Sequence, residues 1–264
     1  MRFRSLLAPA CFALVGLTTS AATPYSASGQ HVERHDLTTS DGVTIPAWLY
    51  TTPETEAAPL VVLFHQGGSS GRAEYAPIVP RLRELGYAAL VIDQRRGGEL
   101  FEAQNEVAVR FDPETTSYCD PLPDLEAALE FARRLRPEQR VVLWGSSYSA
   151  ALVVQLGVRR AADVAGVLAF SPASGEPMAG CEPEPWAARL ERPLFAARPA
   201  NEVAIPEIQE QLDELAALGA VTWVADPGRH GSSMLVEERV GASTGPTWAA
   251  VEAFLSALSF DPAG

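Results

Sequence analysis

The chain has 264 residues, 47% of them hydrophobic, enough for a sizeable core in one α/β domain or two small ones. Its 20 Lys and Arg against 33 Asp and Glu give a formal net charge of −13. That balance argues against nucleic acid and anionic membrane surfaces as partners, since both need a cationic face.

In chain order, the first 22 residues, MRFRSLLAPACFALVGLTTSAA, carry two arginines, an apolar run and then small residues, the three parts of a secretory signal peptide. The apolar run is short for a membrane span, and Ser20 and Ala22 fit the small pair before a cleavage point. Cys11 has more apolar sequence after it than before it, which disfavours a lipid anchor there. The expectation is an exported chain, periplasmic or secreted, with no stable membrane insertion once the signal is removed. Removal takes Cys11 and leaves Cys119 and Cys181, a candidate disulfide in an oxidising compartment. No C-x-x-C or H-E-x-x-H spacing occurs, so no metal site is expected.

Residues 32–52 read as two extended segments joined at Asp41-Gly42, a hairpin signal. PLVVLFH (59–65) is a continuous apolar run, as in a strand covered on both faces. A Gly/Ser loop and a helix over 74–87 follow, and then a strand over 88–95. Residues 120–137 form a helix with Asp and Pro near its start and arginines near its end, as the helix dipole prefers. Strand 140–145 runs into helix 148–160; strands 164–170, 192–198 and 220–226 follow, with helix 206–219 between the last two. Residues 246–259 close the chain as a helix. Buried strands alternating with amphipathic helices imply one α/β domain over residues 30–260, a mostly parallel twisted sheet with helices on both faces. The Pro-rich stretch 171–191 is the longest irregular segment; its length suggests the shaping of a binding mouth, and it is too short for a large cap domain.

The chemistry concentrates at strand ends. In GSSYS (145–149), Gly145, Ser147 and Ser149 have the spacing of G-x-S-x-G, with serine at the second glycine position. Ser147 falls in the nucleophile register, and the plain alternative is a helix N-cap. A serine hydroxyl needs a base, and His230, in the loop ADPGRHGSS after the last strand, is the sole histidine of the C-terminal half. His31 and His35 are expected at the surface, and His65 is expected to be structural. In FHQGGSSGRAEY (64–75), Gln66 stands where a glycine is usual after the histidine.

These three motifs, in this order, resemble the α/β-hydrolase superfamily, in particular the small dienelactone-hydrolase-like serine esterases, over about residues 30–260. The resemblance implies the α/β-hydrolase fold, with Ser147 as nucleophile, His230 as base and an acid between strand 192–198 and His230. Spacing to Pro206 lands on Glu202; Asp226, four residues before His230, is the rival, and neutral Asn201 would be a poorer acid. The oxyanion donors implied are the N–H groups of Tyr148 and Gly67, with Gln66 as the alternative to Gly67. True dienelactone hydrolases carry cysteine as nucleophile, so serine points to esterase chemistry on a small-molecule ester, with no cofactor required. A serine peptidase of the same fold, or a non-catalytic binding protein on that scaffold, are the competing readings. Asp93 is expected to be structural. Arg95 and Arg96 are candidates for a substrate carboxylate or for salt bridges; Trp186, Tyr75 and Phe101 for pocket walls or ordinary packing.

Overall fold

The computed structural model describes residues 31–261; the expected signal peptide lies outside them. Strands β1 (His31–Thr38) and β2 (Thr44–Thr51) form the predicted hairpin, closed by hydrogen bonds between Thr39 and Val43 around Gly42. β3 (Leu60–Phe64) is followed by two short helices, α1 (Gly71–Tyr75) and α2 (Val79–Glu84), rather than the single helix expected over 74–87. Pro77 and Pro80 supply no backbone N–H, so a continuous helix across them would lose its ladder. Next come β4 (Ala88–Ile92), α3 (Leu122–Leu135), β5 (Val141–Ser146), α4 (Tyr148–Arg159) and β6 (Val164–Phe170). The stretch 171–191 holds a short helix, α5 (Pro183–Ala187), and β7 (Leu194–Pro199) follows. The chain closes with α6 (Ala200–Val203), α7 (Pro206–Ala217), β8 (Val221–Ala225), α8 (Glu237–Val240) and α9 (Gly245–Ser256).

The eight strands make one sheet in the order β1-β2-β4-β3-β5-β6-β7-β8. The β1–β2 and β2–β4 pairs are antiparallel and the rest parallel, as the continuous apolar runs of the middle strands imply. Side chains alternate across the sheet. Leu60, Val62 and Phe64 of β3 enter one core with residues of α3, α4 and α7. Val61 and Leu63 enter the other with residues of α1, α2 and α9. Both faces are therefore dry, and polar function is confined to the loops at the carboxyl ends of the parallel strands. Among the described residues, no helix is long and apolar enough to cross a membrane.

Candidate active site

Ser147 sits between β5 and α4 with φ 60 and ψ −122, a strained geometry for a residue with a side chain. Its backbone is over-determined: Ser147 N–H donates to Phe170 O at 2.9 Å, and its carbonyl accepts from Ala150 and Ala173. The turn is so tight that a Cβ on Gly145 would lie 2.3 Å from Ser149 O, so glycine is required there. Ser149, in the second glycine position, is put to use. Its hydroxyl donates to His65 O at 2.6 Å and accepts from Gln94 Nε2, tying the turn to the end of β3. Tyr148 is the first residue of α4, where an N–H has no intrahelical acceptor.

His230 and Glu202 come together: Nδ1 lies 2.6 Å from Glu202 Oε1. The other carboxylate oxygen accepts from Arg198 Nη1 at 2.8 Å. Arg198 is buried and also donates to Pro172 O and Gln211 Oε1. Burial pushes the Glu202 carboxyl up, but the bond to His230 and the Arg198 charge outweigh it and hold it below its ordinary value. Among the described residues, no hydrogen bond joins Asp226 to His230. The histidine loop is set by two more bonds, Gly231 N–H to Ser171 Oγ at 3.0 Å and Ser232 N–H to Ser146 Oγ at 2.9 Å.

Ser147, His230, Gln66 and Gly67 all line one cavity of about 560 Å³. Ser147 Oγ makes no hydrogen bond to the imidazole; such bonds often tighten only around substrate. The walls come from Leu100, Phe101 and Tyr118, and Arg229 and Arg239 also line it. Phe101 adopts φ 65 and lies under the Arg239 guanidinium, 3.6 Å from its ring centre. Tyr118 packs against Tyr148 in a tilted pair, with ring centres 5.2 Å apart. No residue of 171–191 lines this cavity, contrary to the expected binding mouth. That segment packs α5 against α4 and the hydrophobic core beside the sheet. It bears on the wall only indirectly: Cys181 is disulfide-bonded to Cys119, the neighbour of Tyr118.

The remaining candidates are structural. His65 is fully buried; Asp93 accepts from Gly71 N–H and Glu106 N–H. His35 is half-buried against Phe131, off the expected surface, because it stands on the side of β1 that α3 covers. Arg95 is salt-bridged to Asp124 and Asp41, and Arg96 lies over Tyr118 and donates to Pro113 O. Tyr75 and Trp186 are packing residues. Two residues that reading the sequence did not single out matter here. Arg198 could have been noticed from its i,i+4 spacing to Glu202 at a strand end. Glu74 carried no local signal. Among the described residues, no three His, Cys, Asp or Glu side chains converge as metal ligands would.

A family model described as serine aminopeptidase, S33, matches residues 55–229. The chain is similar to the quorum-quenching protein AidA of Acinetobacter baumannii, 31% identical over 111 residues; the match covers 41% of this chain and about a third, 34%, of the relative. Among solved structures it is similar to the Pyrococcus furiosus esterase Pf2001, with TM-score 0.65 at 18% identity, covering 87% of this chain and 93% of that one. It is also similar to the Pyrococcus horikoshii acylaminoacyl peptidase, with TM-score 0.63 at 14% identity, covering 88% of this chain and 42% of that one. At these identities the structural likeness is one of fold, and it agrees with the α/β-hydrolase fold expected from the motifs.

Proposed function

Since the chain belongs to the serine aminopeptidase S33 family and is a serine hydrolase, we propose that it is an exported carboxylic-ester hydrolase working through Ser147, His230 and Glu202. Ser147 Oγ attacks the ester carbonyl carbon while its proton passes to His230 Nε2. Glu202 accepts the Nδ1–H and stabilises the imidazolium. The N–H groups of Gly67 and Tyr148 hold the developing oxyanion, each worth roughly 3 kcal/mol in the transition state. Collapse expels the alcohol, which takes the proton from His230, and a water molecule repeats the sequence to free the acid and Ser147.

The observation that carries this reading is the bond between His230 Nδ1 and Glu202 at the rim of the cavity that Ser147 lines. It turns Nε2 away from the carboxylate and leaves it for the serine proton. The cavity also favours an ester over an amino-terminal peptide. A free α-ammonium calls for a carboxylate, whereas this lining has Arg229 and Arg239 and no Asp or Glu. Export is supported by the signal pattern of residues 1–22 and by the disulfide.

The test is labelling by a fluorophosphonate probe together with turnover of p-nitrophenyl esters. The wild type is expected to do both, and Ser147→Ala to lose labelling and about 10⁴-fold or more in kcat. A folded wild type that neither labels nor turns over would mark the chain as a binding protein on a hydrolase scaffold.

A further inference from the structure

The peptide between Gln66 and Gly67 is gripped from both sides. Its carbonyl accepts from His65 Nδ1 at 2.8 Å and from Ser69 N–H at 3.3 Å. The imidazole has the proton on Nδ1, because Nε2 accepts the Gln94 N–H at 2.9 Å. A trans peptide points its N–H opposite its C=O. With the Gln66 carbonyl tied back to His65, the Gly67 N–H is turned the other way, and Gly67 itself lines the cavity.

One residue earlier, the Gln66 N–H donates to Glu74 Oε2 at 2.8 Å. Glu74 is fully buried, which pushes its carboxyl up, and the Ser146 side chain is its other polar neighbour. Burying a carboxyl is costly, and packing alone would be better served by an apolar residue. The helix that carries it is fixed in turn. Ser70 caps α1, Gly71 N–H is held by Asp93, and Tyr75 donates to Phe64 O at 2.7 Å. Arg239 donates to the carbonyls of Ala73 and Glu74. These bonds tie α1 to the end of β3, to Asp93 after β4 and to Arg239 of α8.

We propose that Glu74 is a positioning residue of the oxyanion hole: by taking the Gln66 N–H it withdraws that donor from the cavity and fixes the loop so that Gly67, and not Gln66, presents its N–H to the substrate oxygen beside the Tyr148 N–H. This rests on the serine-hydrolase mechanism above, and it decides between Gly67 and Gln66 as the donor. A donor misaimed by a fraction of an ångström loses its advantage in the transition state more than in the ground state. The effect therefore belongs in kcat and in the affinity for tetrahedral adducts, and KM is expected to stay.

Glu74→Leu, Glu74→Asp and Glu74→Gln test this, with kcat, KM, melting temperature and inhibition by a small alkylboronic acid, which forms a tetrahedral adduct with the serine. Leu removes the acceptor, Asp withdraws it by one methylene, and Gln keeps an oxygen in place. Expected are a loss in kcat of about 10- to 100-fold for Leu and about 5-fold for Asp, matched by weaker boronate inhibition, with KM within about 2-fold. Gln is expected to stay within about 3-fold of wild type in both measures. If Leu does not fold, Asp, which keeps the carboxyl, decides. A folded Asp variant with unchanged kcat and boronate affinity overturns the proposal. So does a Gln variant that falls as far as Asp or Leu. A wild type that neither labels nor hydrolyses esters overturns the mechanism itself, and Ser147→Ala beside the Glu74 series keeps the two failures apart.

Discussion

At the scale of single residues, the carboxylate is the sharpest question. Glu202 is clasped between Arg198 and His230, whereas Asp226 is exposed and makes no bond to the imidazole. Arg198 does two things: after the bond to His230 it helps hold the Glu202 carboxyl below its ordinary value as burial pushes it up, and it binds the second carboxylate oxygen while the first meets Nδ1. Glu202→Gln is therefore expected to lower kcat by about 10³- to 10⁴-fold, because an amide cannot stabilise the imidazolium and can select the wrong tautomer. Asp226→Asn is expected to stay within about twofold. Steady-state turnover of a p-nitrophenyl ester checks both, and collapse of the Asp226 variant alone would move the acid to Asp226. As candidates, Ser147, His230 and Glu202 were legible because spacing and chain order single them out. Glu74 and Arg198 were not, since their roles depend on which backbone groups the fold delivers to them. Gly231 belongs with them: φ is +63 and a Cβ would lie 2.2 Å from Ser146 Oγ, a demand seen only once the histidine loop rests on β5.

At the scale of elements, the middle strands were readable because a strand buried on both faces is apolar without interruption. Helix 74–87 was misread because its apolar spacing outweighed two prolines that split it into α1 and α2. Register and cross-element ties had no local signature. Arg95, after β4, joins the β1–β2 turn to α3 by binding Asp41 at 2.5 Å and Asp124 at 2.7 Å. Hydrogen bonds from Arg95 and from the Thr39 hydroxyl hold the Asp41 carboxyl well below its ordinary 3.8. Burial moves Asp124 the other way, up, against the pull of Arg95. A depressed carboxyl contributes stability that is complete above its unfolded value and is lost as pH falls toward the folded one. Asp41→Asn is therefore expected to melt below wild type at pH 7, with the gap narrowing steadily as pH drops below about 4. Asp41 is nearly half exposed, so the gap should be small and shrink with salt. Melting temperatures of both proteins at pH 7, 4, 3 and 2 check it; a constant gap throughout would mean that the Asp41 charge contributes nothing.

At the scale of the whole molecule, fold class and sheet character followed from the alternation of buried strands and amphipathic helices, but the architecture of the cavity did not. Its walls come from residues 100, 101 and 118, and from the loop around His230, which lie far apart in sequence. The Cys119–Cys181 bridge, 62 residues apart, ties the Tyr118 loop to the segment after β6. Closing a loop of that length removes unfolded-state entropy worth about 4 kcal/mol in the chain-entropy account. In a domain of this size that is roughly 10 °C of melting temperature. The bridge forms only where the compartment is oxidising, so it and the proposed leader make one joint prediction. Protein recovered from outside the cytoplasm is expected to begin at residue 23, to show no free thiol when denatured without reductant, and to melt roughly 10 °C above a Cys119→Ser, Cys181→Ser variant. Intact mass, thiol titration and calorimetry measure the three. A chain found only in the cytosol, at full length and with its thiols reduced, would refute export, and the cavity wall would then have to stand without its covalent tie.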